Sequence, residues 1–63
     1  MKIIAYDRYA LSAVTGHKIK DVDLDGDRYE GYTVIIRLSG DLELHIESDT
    51  EPTIALYAKE GHS

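Results

Sequence analysis

Two alternating runs flank a short break, and their phase leaves them one good way to pair. Thr33-Val34-Ile35-Ile36-Arg37-Leu38 and Leu42-Glu43-Leu44-His45-Ile46-Glu47 carry apolar residues at every second position, the period of a half-buried strand. Residues directly opposite in an antiparallel pair share a face of the sheet. One face stays apolar only if Leu38 faces Leu42, Ile36 faces Leu44 and Val34 faces Ile46. A one-residue slip would bury Glu43 and Glu47. This register needs an odd number of loop residues, and Ser39-Gly40-Asp41 supplies three. Gly40 and Asp41 both tolerate the left-handed backbone that such loops use. The same register sets Arg37 opposite Glu43, Ile35 opposite His45 and Thr33 opposite Glu47.

Asp25-Gly26 is a two-residue turn signal and predicts a second hairpin. Pairing about it sets Val22 opposite Tyr29 and Ile19 opposite Tyr32. Ile19 is out of step with Val22 and Leu24, and Tyr29 with Tyr32 and Val34. The two ends of this hairpin would therefore bury opposite faces. A flat sheet has no use for that, whereas a small barrel bends its strands from one layer to the other. Gly31 is placed for the bend. Lys2 to Tyr6 reads as a first strand, and Ile54 to Ala58 as a last one after a loop over Ser48–Pro52.

Residues 7–16 admit two readings. Asp7 can cap a short helix that Gly16 ends, while Tyr9, Leu11 and Ala13 also alternate as in a strand; a helical turn or irregular segment is preferred. Val22 and Leu24 are expected in the core. Ile35 faces away from the main apolar stripe and Ile3-Ile4 are apolar on both sides, so a second face needs cover. That cover would be segment 7–16, barrel closure or another chain. The fold expected is all-β: four or five antiparallel strands in meander order, bent into a small, partly open barrel. The alternative is α+β, an antiparallel sheet with one short helix from residues 7–16.

With 63 residues the chain is one domain, residues 1–63, and its core is thin: so short a chain buries only roughly 60% of the surface its unfolded form exposes. Such domains usually need a staple. There is no cysteine, which removes disulfides and cysteine-zinc sites and leaves a lean core, an oligomer or a cysteine-free metal site. No apolar run approaches the roughly 20 residues that span a bilayer, so no membrane contact is expected. The stretch Met1–Asp7 is too short for a signal peptide, so a cytoplasmic location is expected.

Charge is unevenly spread. Residues 1–20 sum to +3 and residues 21–63 to −8. A negative surface argues against direct nucleic-acid binding through phosphates and suits a basic partner. Asp21-Val22-Asp23-Leu24-Asp25-Gly26-Asp27 contains the D-x-D-x-D-G core of a calcium loop. The twelfth position of that loop wants a bidentate Glu and here is Tyr32; the eighth wants an apolar residue and is Arg28. A hairpin with a solvated acidic edge is the simpler reading. Glu43, His45 and Glu47 form a second polar row, but side chains along a strand run parallel and do not converge on an ion. No metal or other cofactor is expected.

Catalysis has little support. The serines sit in no strand–turn–helix elbow, the glycines are isolated turn residues, and so small a domain hardly encloses a substrate pocket of several hundred Å³. The chain is not expected to be an enzyme.

The acidic rows stand out instead. Asp21, Asp23, Asp25 and Asp27 recur at period two, as do Glu43 and Glu47, a spacing of about 6.6–6.8 Å on a strand. Acidic inhibitors of nucleic-acid-binding proteins use such rows as phosphate substitutes. All five aromatic residues are tyrosines, which suit rims and contact surfaces. The function expected is a non-enzymatic protein-binding module, an inhibitor or adaptor. One example is a product of a mobile element directed at a basic host protein. It would present Asp21, Asp23, Asp25, Asp27, Glu43, Glu47, Tyr29 and Tyr32 to that partner. Two alternatives involve homo-oligomers. One binds a small ligand between subunits, lined by Tyr6, Tyr9, Tyr29, Tyr32, Arg8, Lys18 and Lys20. The other is an assembly subunit joined through edge strands.

Overall fold

The hairpin at the centre of the molecule has the register that its apolar phase demands. In the structure, a computed structural model that describes residues 1–48 and 51–59, Gly31–Leu38 pairs antiparallel with Leu42–Glu47. Leu38 lies opposite Leu42, Ile36 opposite Leu44, Val34 opposite Ile46 and Arg37 opposite Glu43. Ser39-Gly40-Asp41 turns the chain, with Gly40 at φ 79° and Asp41 at φ 58°.

The element order is β1 (Lys2–Tyr6), α1 (Asp7–Ala13), β2 (Ile19–Asp27), β3 (Gly31–Leu38), β4 (Leu42–Glu47) and β5 (Thr53–Ala58). All strands join one antiparallel sheet in the order β1-β5-β4-β3-β2. The all-β expectation holds, as a single open sheet that is not closed into a barrel, and the short helix of the alternative is present as well. Strands β2 to β5 run as a meander. β1 joins beyond β5, so β1 and β2 form opposite edges although only α1 and its flanking turn separate them in sequence. Of the expected loop over Ser48–Pro52, residues 49 and 50 lie outside the described residues.

The register places Val34, Ile36, Leu38, Leu42, Leu44, Ile46, Ile54 and Leu56 on one face. Helix α1 packs on this face. Ala10, fully buried, meets Leu38, Leu44 and Leu56, and Ala5, Val14, Ile36, Leu42, Ile46 and Ile54 surround them. Segment 7–16 thus covers the main stripe and not the second face around Ile35. Asp7 does not cap the helix with its side chain: Tyr6 is the N-cap residue, without a side-chain hydrogen bond, and Asp7 takes φ 51° to turn the chain out of β1. Beyond the helix, Ser39 N–H donates to the Lys18 carbonyl at 2.9 Å, and Lys18 N–H donates to Ser39 Oγ at 3.1 Å. His17 Nδ1–H donates to the Ser39 carbonyl at 2.8 Å. These bonds hold the α1–β2 connection to the β3–β4 turn and steer the chain to the far edge.

The second hairpin differs from expectation. Asp25 and Gly26 lie inside β2, opposite Thr33 and Tyr32, and the turn is Arg28-Tyr29-Glu30. Val22 faces Ile36, not Tyr29, and Ile19 faces Leu38, not Tyr32. Asp27 closes the turn, its Oδ1 accepting from Tyr29 N–H and Glu30 N–H at 2.8 Å each. The phase break at Ile19 is absorbed by a register shift between Ile19 and Asp21. That irregularity returns Ile19 to the face of Val22 and Leu24, so no strand needs to change layers. Gly31 opens β3 at φ 99° instead of bending it. Val22 and Leu24 are not core residues: they remain 59% and 58% exposed. A helix of seven residues is only about 10 Å long; it packs on β1 and β5 and does not reach the β2 side.

Leu56→Ala empties the centre of this core and is expected to cost about 2–5 kcal/mol, whereas Tyr29→Ala, at a position 89% exposed, is expected to stay within about 0.5 kcal/mol. Gly26→Ala requires a Cβ that runs into the Gly31 carbonyl oxygen, at φ 90°, and is expected to cost more than about 1 kcal/mol. Urea unfolding of the three variants checks the ranking.

Candidate functional site

The second face of the sheet is built row by row from the registers. Asp21, Arg37, Glu43 and Tyr57 lie side by side across four strands. The next row is Asp23, Ile35, His45 and Ala55, and the third is Asp25, Thr33, Glu47 and Thr53. Asp27 continues the series opposite Gly31. The two acidic rows recognised in the sequence therefore share one face, two strands apart, or about 9–10 Å at the usual strand spacing.

Arg37 is the cation at the centre. Its Nη1 lies 2.8 Å from Asp21 Oδ1 and 3.8 Å from Asp23 Oδ2, and its Nε lies 3.9 Å from Glu43 Oε2. The hydrogen bond to Asp21 and the charge of that carboxylate raise its pKa above the ordinary arginine value, and Glu43 and Asp23 add to the rise. Arg37 is thus charged at every working pH. A carboxylate only accepts, so His45 Nε2–H donates to Glu43 Oε1, 3.0 Å away. The His45 ring also packs on Tyr57, with centroids 4.3 Å apart at 40°. Asp23 Oδ1 accepts from Leu24 N–H and Asp25 Oδ1 from Gly26 N–H, both at 2.9 Å. Among the described residues Glu47 forms no ion pair.

Of the residues singled out from the sequence, Asp21, Asp23, Asp25, Asp27, Glu43 and Glu47 come together on this face. Tyr29 sits apart at the tip of the β2–β3 turn, and Tyr32, opposite Gly26, lies on the apolar face. His45, read from the sequence as a member of the second polar row, belongs to the site, and its ring partner Tyr57 was missed as a contributor. The signal was available: aligning Ile46 with Ile54 places Tyr57 opposite Glu43.

The aspartates stand along an extended strand and do not curl round a point. Among the described residues no group of three His, Asp or Glu side chains is placed to hold a metal ion. His17 Nδ1 and Ser39 Oγ are 3.3 Å apart, but the ring N–H goes to the Ser39 carbonyl and the hydroxyl accepts from Lys18 N–H, so the pair is a clasp. A cavity of about 200 Å³ opens beside the β3–β4 turn, lined by Lys20, Asp21, Arg37, Leu38, Asp41, Leu42, Glu43 and Lys59. No tyrosine contributes to it; Tyr6, Tyr9, Tyr29 and Tyr32 are dispersed over β1, α1, the far turn and the apolar face. Among the described residues no helix is long and apolar enough to cross a membrane. The chain matches no family model, no curated protein and no solved structure.

Arg37→Gln leaves Asp21, Asp23 and Glu43 to repel one another. The variant is expected to melt below the parent in low salt, and the gap to narrow near 1 M salt, where the screening length falls to about 3 Å. Thermal melts at two ionic strengths test this. Millimolar calcium or EDTA is expected to leave the parent's melting temperature unchanged.

Proposed function

We propose that the chain is a non-enzymatic binding module that presents its acidic sheet face to a basic surface on another protein, as an inhibitor or adaptor. The observation that carries this reading is the convergence on one face of six carboxylates from β2 and β4, with Arg37 as the one guanidinium among them. Like charges gathered on a rigid sheet cost the free protein self-repulsion, which a cationic partner relieves. Such a face steers association and selects against acidic partners. The spacing along each row, about 6.6–6.8 Å, suits a partner whose cations are regularly spaced, such as a surface shaped for a phosphate backbone. His45, between Glu43 and Glu47 on β4, and Tyr57, beside Glu43 on β5, supply flat rings for a partner's aliphatic or guanidinium stems. A cytoplasmic setting belongs to the same proposal and rests on the cysteine-free composition.

Affinity capture from a lysate with the parent and with an Asp21→Asn/Asp23→Asn/Glu47→Gln variant tests the reading. Asp27 is left in place because it closes a turn. The parent is expected to retain basic proteins that elute as salt rises, and the variant to lose them. Retention of the same proteins by both, or binding indifferent to salt, would count against an electrostatic interface.

A further inference from the structure

The cavity beside the β3–β4 turn, about 200 Å³ in volume, is lined by three cations, Lys20, Arg37 and Lys59, and three carboxylates, Asp21, Asp41 and Glu43. The two sets match in number but not in engagement. Arg37 pairs with Asp21 and Glu43, and Glu43 also accepts from His45. Among the described residues the ammonium groups of Lys20 and Lys59 form no ion pair, although carboxylates share their cavity, and Asp41 forms none either. Two free cations therefore stand against one free carboxylate, in a chain of net charge −5. We propose that this cavity binds a small oxyanion, a carboxylate or phosphate group, held by Lys20 and Lys59 with Arg37 as a third donor.

The backbone is arranged to bring these groups together. Lys20 is the residue without a partner opposite at the irregularity between Ile19 and Asp21. In an unbroken strand it would alternate away from Asp21; here both line the cavity. Bulges that re-aim a side chain in this way are over-represented beside functional sites. Both flanks of the cavity are tied to the same turn. On the β2 side Ser39 N–H donates to the Lys18 carbonyl, and on the β5 side Lys59 N–H donates to the Asp41 carbonyl, each at 2.9 Å. Strands β2 and β5 lie three spacings apart, about 14 Å, which two extended lysine side chains and an ion between them can bridge. Arg37 has donors to spare: among the described residues only one of its five N–H groups is in a hydrogen bond, to Asp21.

The surroundings limit the ligand to a small one. A polyanion such as a nucleic acid would extend along the sheet and meet Asp23 and Asp25, where phosphates are repelled. A single carboxylate or phosphate group fits within the cavity and meets charge-assisted donors. The site uses ammonium groups and not the carboxylates offered to a basic partner, so either proposal can fail without the other.

Amide nitrogen–proton NMR spectra of the full chain test this, with sodium phosphate and sodium acetate titrated separately at constant pH and ionic strength and sodium chloride as the reference. Saturable shifts centred on Lys20, Asp21, Asp41 and Lys59 are expected with at least one oxyanion and not with chloride. A tighter response to phosphate assigns a phosphate group, and a tighter response to acetate a carboxylate. Lys20→Gln and, independently, Lys59→Gln are expected to weaken binding at least about tenfold, the loss of one charge-assisted hydrogen bond. Both lysines are exposed, so each variant is expected to keep the rest of its spectrum. Arg28→Gln removes the same charge at the far turn and is expected to leave binding unchanged. No saturable shift with either oxyanion, shifts spread over all the basic residues, or equal weakening by Arg28→Gln would overturn the proposal.

Discussion

The contact of Ala10 with Leu38, Leu44 and Leu56 is the constraint on which the rest of this molecule turns. A methyl side chain lets a helix come close to a sheet, and the leucines beneath it are among the few buried apolar groups of so small a domain, where burial is the main favourable contribution. Because α1 is short, that contact is local. It fixes the helix over the β1–β5 side and leaves the β2 side of the same face in water. The clasp of His17 and Lys18 on Ser39 follows from it: the chain must leave the helix on one side of the sheet and enter β2 on the other, and the β3–β4 turn lies on the way.

Strand β2 is where the two chemistries of the sheet meet. Its odd-numbered residues from Asp21 to Asp27 project carboxylates to one face, and its even-numbered residues Val22 and Leu24 project apolar groups to the other. The bulge that brings Ile19 into the apolar set is what keeps the two faces pure. The aspartates also serve the strand itself. Asp23 and Asp25 occupy outward N–H groups that an edge would otherwise offer to another strand, and Asp27 closes the turn to β3. A single row of like residues therefore gives the face its charge, blunts the edge and shapes the hairpin.

The β3–β4 hairpin was readable residue by residue, because both strands alternate and only one register keeps Glu43 and Glu47 out of the core. The β2–β3 hairpin was not. Asp25-Gly26 looks like a turn, yet Gly26 is needed inside β2 because its positive φ and its approach to the Gly31 carbonyl exclude a side chain. The true turn, Arg28-Tyr29-Glu30, carries no glycine and is held by Asp27, a signal weaker in sequence than the one beside it. The mistaken turn put Ile19 and Tyr32 out of phase and called for a barrel that the bulge makes unnecessary.

By itself, then, the sequence determined the strand content, the central register and the gathering of acids at alternate positions. Each of these depends on period two and on side chains close along the chain, so local pattern carries them. Tertiary structure alone decided that the rows of β2 and β4 share a face, that β1 joins beyond β5, and that α1 shelters one half of the apolar face and not the other. Those choices rest on contacts between residues far apart in the chain, where the reach of a seven-residue helix and the packing room above Leu56 outweigh any local preference.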